Sequence, residues 1–207
     1  EFYVSAQDAL NVVPKLPDIY DEPFTDSSQI PTYLISKLAR DQVTVVLTGD
    51  GGDEILGGYD RHTKIPALWA RVKWMPHSIR KVTMRALAQI PDTVLQTIKP
   101  SSPLFPAQVK RALNLMGHKD ANAIYDALMT HWVENIVING SAPLCQLNDP
   151  QYWPKDLSFA EAMIFGDTLS YRTNDLMVKA DRATMAVALE ARAPLMDYRL
   201  AEYCWTL

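Results

Sequence analysis

The chain has 207 residues, 48% of them apolar, and a formal net charge of −4, enough for one buried core or for a domain and part of a second. Its 20 basic residues are scattered, giving no cationic face of the kind phosphate backbones require, so nucleic acid is excluded as a partner. The longest apolar runs, such as residues 43–47, fall far short of the roughly 20 residues that cross a bilayer, and no basic-then-apolar signal opens the chain, so no membrane partner is expected. The two cysteines, Cys145 and Cys204, lie far apart and read as buried small apolar side chains in a reduced, cytoplasmic setting.

In chain order, residues 18–24 are loop-like. Thr25, Asp26, Ser27 and Ser28 then offer N-caps for a helix running to about Arg40, with Pro31 in its first turn and Ile30, Leu34 and Leu38 on one face beside Tyr33. The β-branched run Val43-Thr44-Val45-Val46-Leu47 reads as a strand buried on both faces of a parallel sheet, which makes the opening an α/β arrangement. From residue 61 to about 147, amphipathic segments broken by prolines read as short helices with Trp69, Trp74, Met75, Met84, Leu87, Leu113, Met116, Leu128 and Trp132 as core candidates. His62, His77, His118 and His131 lack ligand spacing, so no metal site is built on them. Ser158-Phe159-Ala160-Glu161 has capping-box spacing and starts a helix to about Tyr171. Further helices are predicted at about 181–189 and after Asp197, the last with Leu200, Tyr203, Cys204 and Leu207 facing the core. The chain opens on Glu1 and closes inside an apolar stretch with no stop signal, so both ends are expected to be boundaries within a longer protein.

The most informative segment lies where the predicted strand hands over to a predicted helix: Thr48-Gly49-Asp50-Gly51-Gly52-Asp53-Glu54-Ile55-Leu56-Gly57-Gly58-Tyr59. Ligands of open α/β sheets bind at such ends, and glycines let a ligand approach the main chain closely. It is neither a Walker loop nor a dinucleotide fingerprint, because the Gly-Lys-Ser/Thr ending is absent and the third glycine of Gly-x-Gly-x-x-Gly would fall on Glu54. Asp50, Asp53 and Glu54 would repel a bare polyphosphate, so a phosphate reading requires a hard cation such as Mg²⁺ between them. The alternative is a solvated acidic turn capping a helix.

Taken with two later segments, this loop resembles the asparagine synthetase family, whose motif is Ser-Gly-Glu-Gly-Ser-Asp-Glu-x-x-Gly-Gly-Tyr. Val178-Lys179-Ala180-Asp181-Arg182-Ala183-Thr184-Met185-Ala186 resembles the family's Lys-Val-Asp-Arg-x-Ser-Met-Ala, and Leu189-Glu190-Ala191-Arg192-Ala193-Pro194-Leu195-Met196-Asp197 its Leu-Glu-Ala-Arg-x-Pro-Leu-x-Asp. Asp21-Glu22-Pro23 and Asp26-Ser27-Ser28 extend the likeness upstream, while residues 61–157 match weakly. The resemblance implies part of an adenine nucleotide alpha hydrolase-like (PP-loop ATPase) α/β domain, mostly helical here with one or few parallel strands. It also implies a single partial synthetase domain over residues 1–207. The implied reaction uses ATP and Mg²⁺ to adenylate the side-chain carboxylate of aspartate, releasing pyrophosphate, before glutamine-derived ammonia attacks to give asparagine and AMP.

Residue by residue, Thr48, Gly49, Gly51 and Gly52 resemble the ATP-contacting segment, Asp53 and Glu54 the metal ligands, Asp50 the acid needed for the intermediate, and Tyr59 the tyrosine of the acyl site. Lys179, Asp181, Arg182, Glu190 and Arg192 are charges set among Met177, Met185, Val187 and Leu189; half-buried, they must pair with each other or with substrate. Lys179, as a catalytic residue, and Asp181 and Arg182 are read as contributors to substrate or phosphate binding. For Glu190 and Arg192 a structural salt bridge in a packed turn stands beside the substrate-binding reading. Asp50 stands where the family carries Glu, which leaves open amidotransferases acting on other carboxylates and beta-lactam synthetase; a non-catalytic nucleotide-binding or scaffolding module is the alternative of another class. The family's glutaminase domain, with its terminal Cys, its Ser-Gly-Gly-x-Asp-Ser loop and a later lysine are not among these residues, so the 207 residues alone are expected to be inactive. The glutaminase domain of the same chain is the implied partner, and a homodimer stays open.

Overall fold

The structure is a computed structural model and describes residues 3–130 and 153–207. In chain order the described elements are α1 (Ala6–Val12), α2 (Leu16–Tyr20), α3 (Gln29–Arg40), β1 (Val45–Leu47), α4 (Gly52–Leu56), α5 (Asp60–Val72), α6 (His77–Ala88), α7 (Asp92–Ile98), α8 (Phe105–Met116), α9 (Ala121–Met129), α10 (Phe159–Leu169), α11 (Met177–Met185), β2 (Glu190–Arg192) and α12 (Tyr198–Cys204). A π-helical turn at Arg172–Leu176 joins α10 to α11. The chain divides into two compact units, Glu1–Gly58 with Ile164–Leu207, and Tyr59–Met163.

In the first unit α3 starts where the Asp26-Ser27-Ser28 signal places it, with Pro31 tolerated in the first turn. Tyr33 is buried with Val12 and Ala183, and Leu16, Ile19, Ile30, Leu34 and Val187 pack around them, so α1, α2, α3 and α11 share one apolar core. The last of these helices does not run over 181–189 as predicted. It spans Met177–Met185 and ends because Ala188 adopts a left-handed φ of 55°, with the Leu189 N–H donating to Thr184 O and the Ala188 N–H to Met185 O. That double bond is a Schellman closure, and it frees residues 190–192 to become a strand.

That strand, β2, pairs in parallel with β1 in the register Val45 to Glu190, Val46 to Ala191 and Leu47 to Arg192. The expectation that β1 is buried on both faces is corrected here: Val45 is 46% and Leu47 75% exposed. The sheet formed by the described residues has only two strands, so no neighbouring strand or layer covers those side chains. The terminal stripe is corrected as well. Tyr203 and Leu207 are exposed and Leu200 and Cys204 half-buried, because α12 is a single helix of seven residues with its Asp197 cap but little to pack against.

In the second unit the prolines act chiefly as helix starters. Pro76 and Pro91 precede α6 and α7, and Pro106 occupies the first turn of α8. Pro66 is instead carried inside α5, whose Ile65, Leu68, Trp69 and Val72 pack on the core of Met84, Leu115, Met116 and Ile124. Arg80, 2% exposed, closes this unit by donating to Met75 O, Met116 O, His118 O and Lys119 O, with its guanidinium 4.5 Å from the Trp69 ring centre. Trp74, expected in the core, is 77% exposed and donates its indole N–H to Arg71 O, since it lies just past the end of α5. Leu87 is likewise exposed. The capping box at Ser158 forms, with the Ser158 N–H donating to Glu161 Oε2 at 2.6 Å. Trp132, His131 and Cys145 lie outside the described residues.

Candidate functional site

At the end of β1 the Thr48 N–H donates to Arg192 O at 2.8 Å, adding one rung to the parallel ladder and fixing where the glycine turn begins. The Thr48 hydroxyl oxygen is buried and has no hydrogen-bond partner. Such a group is costly to leave alone, which makes it a candidate contact for a ligand. Gly49 faces open space, with no atom within 4 Å of where a Cβ would stand. Gly51 is required twice over: its φ is +91°, and a Cβ there would meet Met196 Cγ at 2.7 Å. At Gly52 a Cβ would lie 3.0 Å from Leu195 Cδ1. The motif around residues 194–196 thus packs beneath the glycine turn, and the first and third sequence motifs form one structure.

The carboxylates of the turn divide by environment. Asp50 is half-buried and Asp53 exposed, with the Asp53 carboxylate lying over Gly58, whose N–H donates to Asp53 O at 3.0 Å. Glu54, expected beside Asp53 as a metal ligand, is 1% exposed, and its carbonyl accepts from the Thr168 hydroxyl. It sits inside the unit while Asp53 sits outside. Among the described residues no three or more His, Cys, Asp or Glu side chains converge in a metal-binding arrangement. Mg²⁺ does not require one, because it is usually held by one or two carboxylates, phosphate oxygens and water. An exposed Asp53, a half-buried Asp50 and an unpartnered Thr48 hydroxyl fit that pattern.

The second motif goes elsewhere. Lys179 Nζ donates to Asp26 Oδ2 at 2.7 Å and to Ser28 Oγ at 2.8 Å, while Ser28 N–H and Oγ both donate to Asp26 Oδ1. Burial works against charge on both members. The hydrogen bonds and Coulomb attraction outweigh it, holding Asp26 down to about 2 and raising Lys179 above its ordinary value. One turn further along α11, Arg182 donates to Asp21 Oδ2 at 2.6 Å, and Asp181 is exposed. Asp21, Asp26 and Ser28 are the partners that reading charges by motif alone did not pair with Lys179 and Arg182; their signal was the acid-and-serine run just before α3. Glu190 and Arg192 pair with each other at 2.8 Å on the exposed side of β2, on a strand where a packed turn was expected. Tyr59 opens the second unit, with the Arg61 guanidinium 4.1 Å from its ring centre and His62 edge-on.

A short parallel sheet whose first strand ends in a glycine turn and a short helix, with acids at its rim, defines a mostly helical α/β domain. The family model for asparagine synthase matches residues 1–207, and the chain belongs to that family. It is 28% identical over 208 residues to asparagine synthetase [glutamine-hydrolyzing] 1 of Bacillus subtilis, covering 94% of this chain and 29% of that protein. A putative asparagine synthetase [glutamine-hydrolyzing] of Mycobacterium tuberculosis is 24% identical over 200 residues, covering 94% of this chain and 28% of its own length. A shorter match, 52% over 61 residues, joins 30% of the chain to 12% of a putative asparagine synthetase [glutamine-hydrolyzing] 2 of Methanocaldococcus jannaschii. The chain thus spans less than a third of these relatives. No solved structure matches it significantly. No helix among the described residues is long and apolar enough to cross a membrane.

Proposed function

We propose that this chain is the part of a PP-loop-type synthetase domain that activates a carboxylate, aspartate or a related acid, as its acyl adenylate. In that reaction a carboxylate oxygen attacks the α-phosphorus of ATP, the bond from that phosphorus to the bridging oxygen breaks, and pyrophosphate leaves with the electron pair. Ammonia, derived from glutamine by the glutaminase domain, then adds to the acyl carbon and loses a proton as AMP departs. The observation that carries the reading is the buried, unpartnered Thr48 hydroxyl beside an open Gly49 and a Gly51 that admits no side chain, on the turn whose family match spans the chain.

Within this reading Thr48, Gly49, Gly51 and Gly52 bind the nucleotide through a backbone with little bulk. Asp53, exposed and lying over the space that Gly58 leaves free, would hold Mg²⁺, which would neutralise charge gathering on the phosphates. Asp50 serves formation of the intermediate, and buried Glu54 braces the turn from within. Tyr59 is assigned to the acyl site, and Lys179, Asp181, Arg182, Glu190 and Arg192 to substrate or phosphate binding. In the whole protein, Asp53→Asn is expected to lower Mg²⁺-dependent AMP formation by about 100-fold or more while glutaminase activity persists. Unchanged AMP formation in that variant removes the ligand role.

A further inference from the structure

A groove of about 420 Å³ in the first unit runs between the 13–20 segment and the start of α3, away from the glycine turn. Val13, Leu16, Pro17 and Phe24 give it apolar walls, and the Phe24 ring stacks on Tyr20 with centres 4.8 Å apart and planes 3° off parallel. Gln29 also lines it. Its side-chain NH₂ donates to Phe24 O at 3.0 Å, which fixes the orientation of the amide, and the residue is only 7% exposed. That orientation leaves Gln29 Oε1 buried with no partner.

A carbonyl oxygen left orphaned on a side chain that lines an apolar groove wants a donor, and the remaining features select which donor. Asp21 and Glu22 line the groove too. Asp21 is matched by Arg182 at 2.6 Å, whereas Glu22 is exposed and has no ion pair among the described residues. A net negative rim, aromatic faces and a carbonyl acceptor each favour a cation over a neutral or anionic group. We propose that this groove is a binding site for a small ligand whose apolar body carries a protonated primary amine, the ammonium donating to Gln29 Oε1 and the body lying on Leu16, Pro17 and Phe24.

The site is independent of the adenylation reading and tests separately from it. Ligand-observed NMR titration of the whole protein would use benzylammonium, benzyl alcohol and benzoate as probes of one shape and three charge types. Benzylammonium is expected to bind with a Kd of about 1–10 mM, benzyl alcohol more weakly, and benzoate at least ~10-fold more weakly. Glu22→Gln, a surface change, should weaken the amine about 2–3-fold, and Gln29→Leu about 5-fold or more. Should Gln29→Leu fail to fold through loss of its bond to Phe24, the Glu22 variant and the probe series decide. Benzoate binding as well as the amine, an amine affinity unmoved by Glu22→Gln, or no binding at about 20 mM overturns the proposal, the last result leaving Gln29 to a buried water.

Discussion

A methyl group at Gly58 would sit 2.0 Å from Asp53 Oδ1, closer than any real contact, although the Gly58 backbone is open to any residue. The Asp53 carboxylate, the free end of an exposed side chain, can swing away, but the methyl would also lie 3.2 Å from the Asp53 Cα, so the backbone there must give slightly. Gly58→Ala is therefore expected to lower the melting temperature only a little. On the adenylation reading it lowers Mg²⁺-dependent AMP formation about 10–100-fold, the usual effect of disturbing a group that orients a metal ligand. A variant that melts normally and forms AMP at the ordinary rate separates Gly58 from the metal. Ala188 poses the opposite case. It is held at φ 55° by the closure of α11, a conformation that costs a side chain about 1 kcal/mol and glycine almost nothing. Ala188→Gly should stabilise the protein by about 0.5–1 kcal/mol in urea unfolding, the gain being cut by the larger entropy glycine loses on folding. A loss of stability would mean that the strain is absent.

Between elements, the Asp26–Lys179 pair fastens α11 to the start of α3 from 153 positions away in sequence. The sign of its pH dependence follows from the two shifts. Asp26 titrates lower in the folded chain, at about 2 against an ordinary 3.8, so its contribution is complete above about pH 4 and fades as the pH falls toward 2. Lys179 titrates higher than its ordinary 10.5, so its contribution is complete below that value and is lost only on moving above it. Asp26→Asn should cost about 2 kcal/mol at pH 7, because it leaves a largely buried ammonium with Ser28 alone. The gap between wild type and variant should shrink as urea titrations move from pH 7 toward pH 2; a gap independent of pH would mean that packing, not charge, holds the contact. How far such elements can be read from sequence depends on whether the cause is local. The start of α3 after Ser28, the capping box at Ser158, the strand at 45–47 and the glycine turn are set by neighbours within a few residues, so they were legible, although Ser28 caps no N–H of α3 with its side chain. The pairing of Lys179 with Asp26, the burial of Glu54 and the strand at 190–192 depend on what other parts of the chain bring, which spacing alone does not encode. Trp74 was misplaced for a related reason: helical periodicity assigns a face, and it stops applying where α5 stops.

At the scale of the molecule, the sheet is the feature that most limits the chain. It joins residue 47 to residue 192 in parallel through only three paired positions on each side, and its β1 side chains Val45 and Leu47 stand exposed. Bringing such distant segments together costs loop-closure entropy that grows with the intervening length, while the return here is a short ladder with little apolar burial. The helical core around Leu115 and Ile124 has the reverse balance, being closed by local contacts and fully buried. Amide exchange of the whole chain should therefore be at least about 100-fold faster at Thr48 and Glu190, whose N–H groups donate to Arg192 O and Thr44 O, than at Leu115 and Ile124. The glycine turn hangs from that same ladder, so a ligand gripping residues 48–53 must also hold β1 against β2. On the proposed reading Mg²⁺ and ATP together slow exchange at Thr48 and Glu190, in proportion to the free energy of binding, and Asp53→Asn abolishes the slowing without altering exchange in the absence of nucleotide. Equal protection of the ladder and the helical core before any addition would mean that the sheet is stable by itself, and a ladder indifferent to nucleotide would detach the glycine turn from phosphate binding altogether.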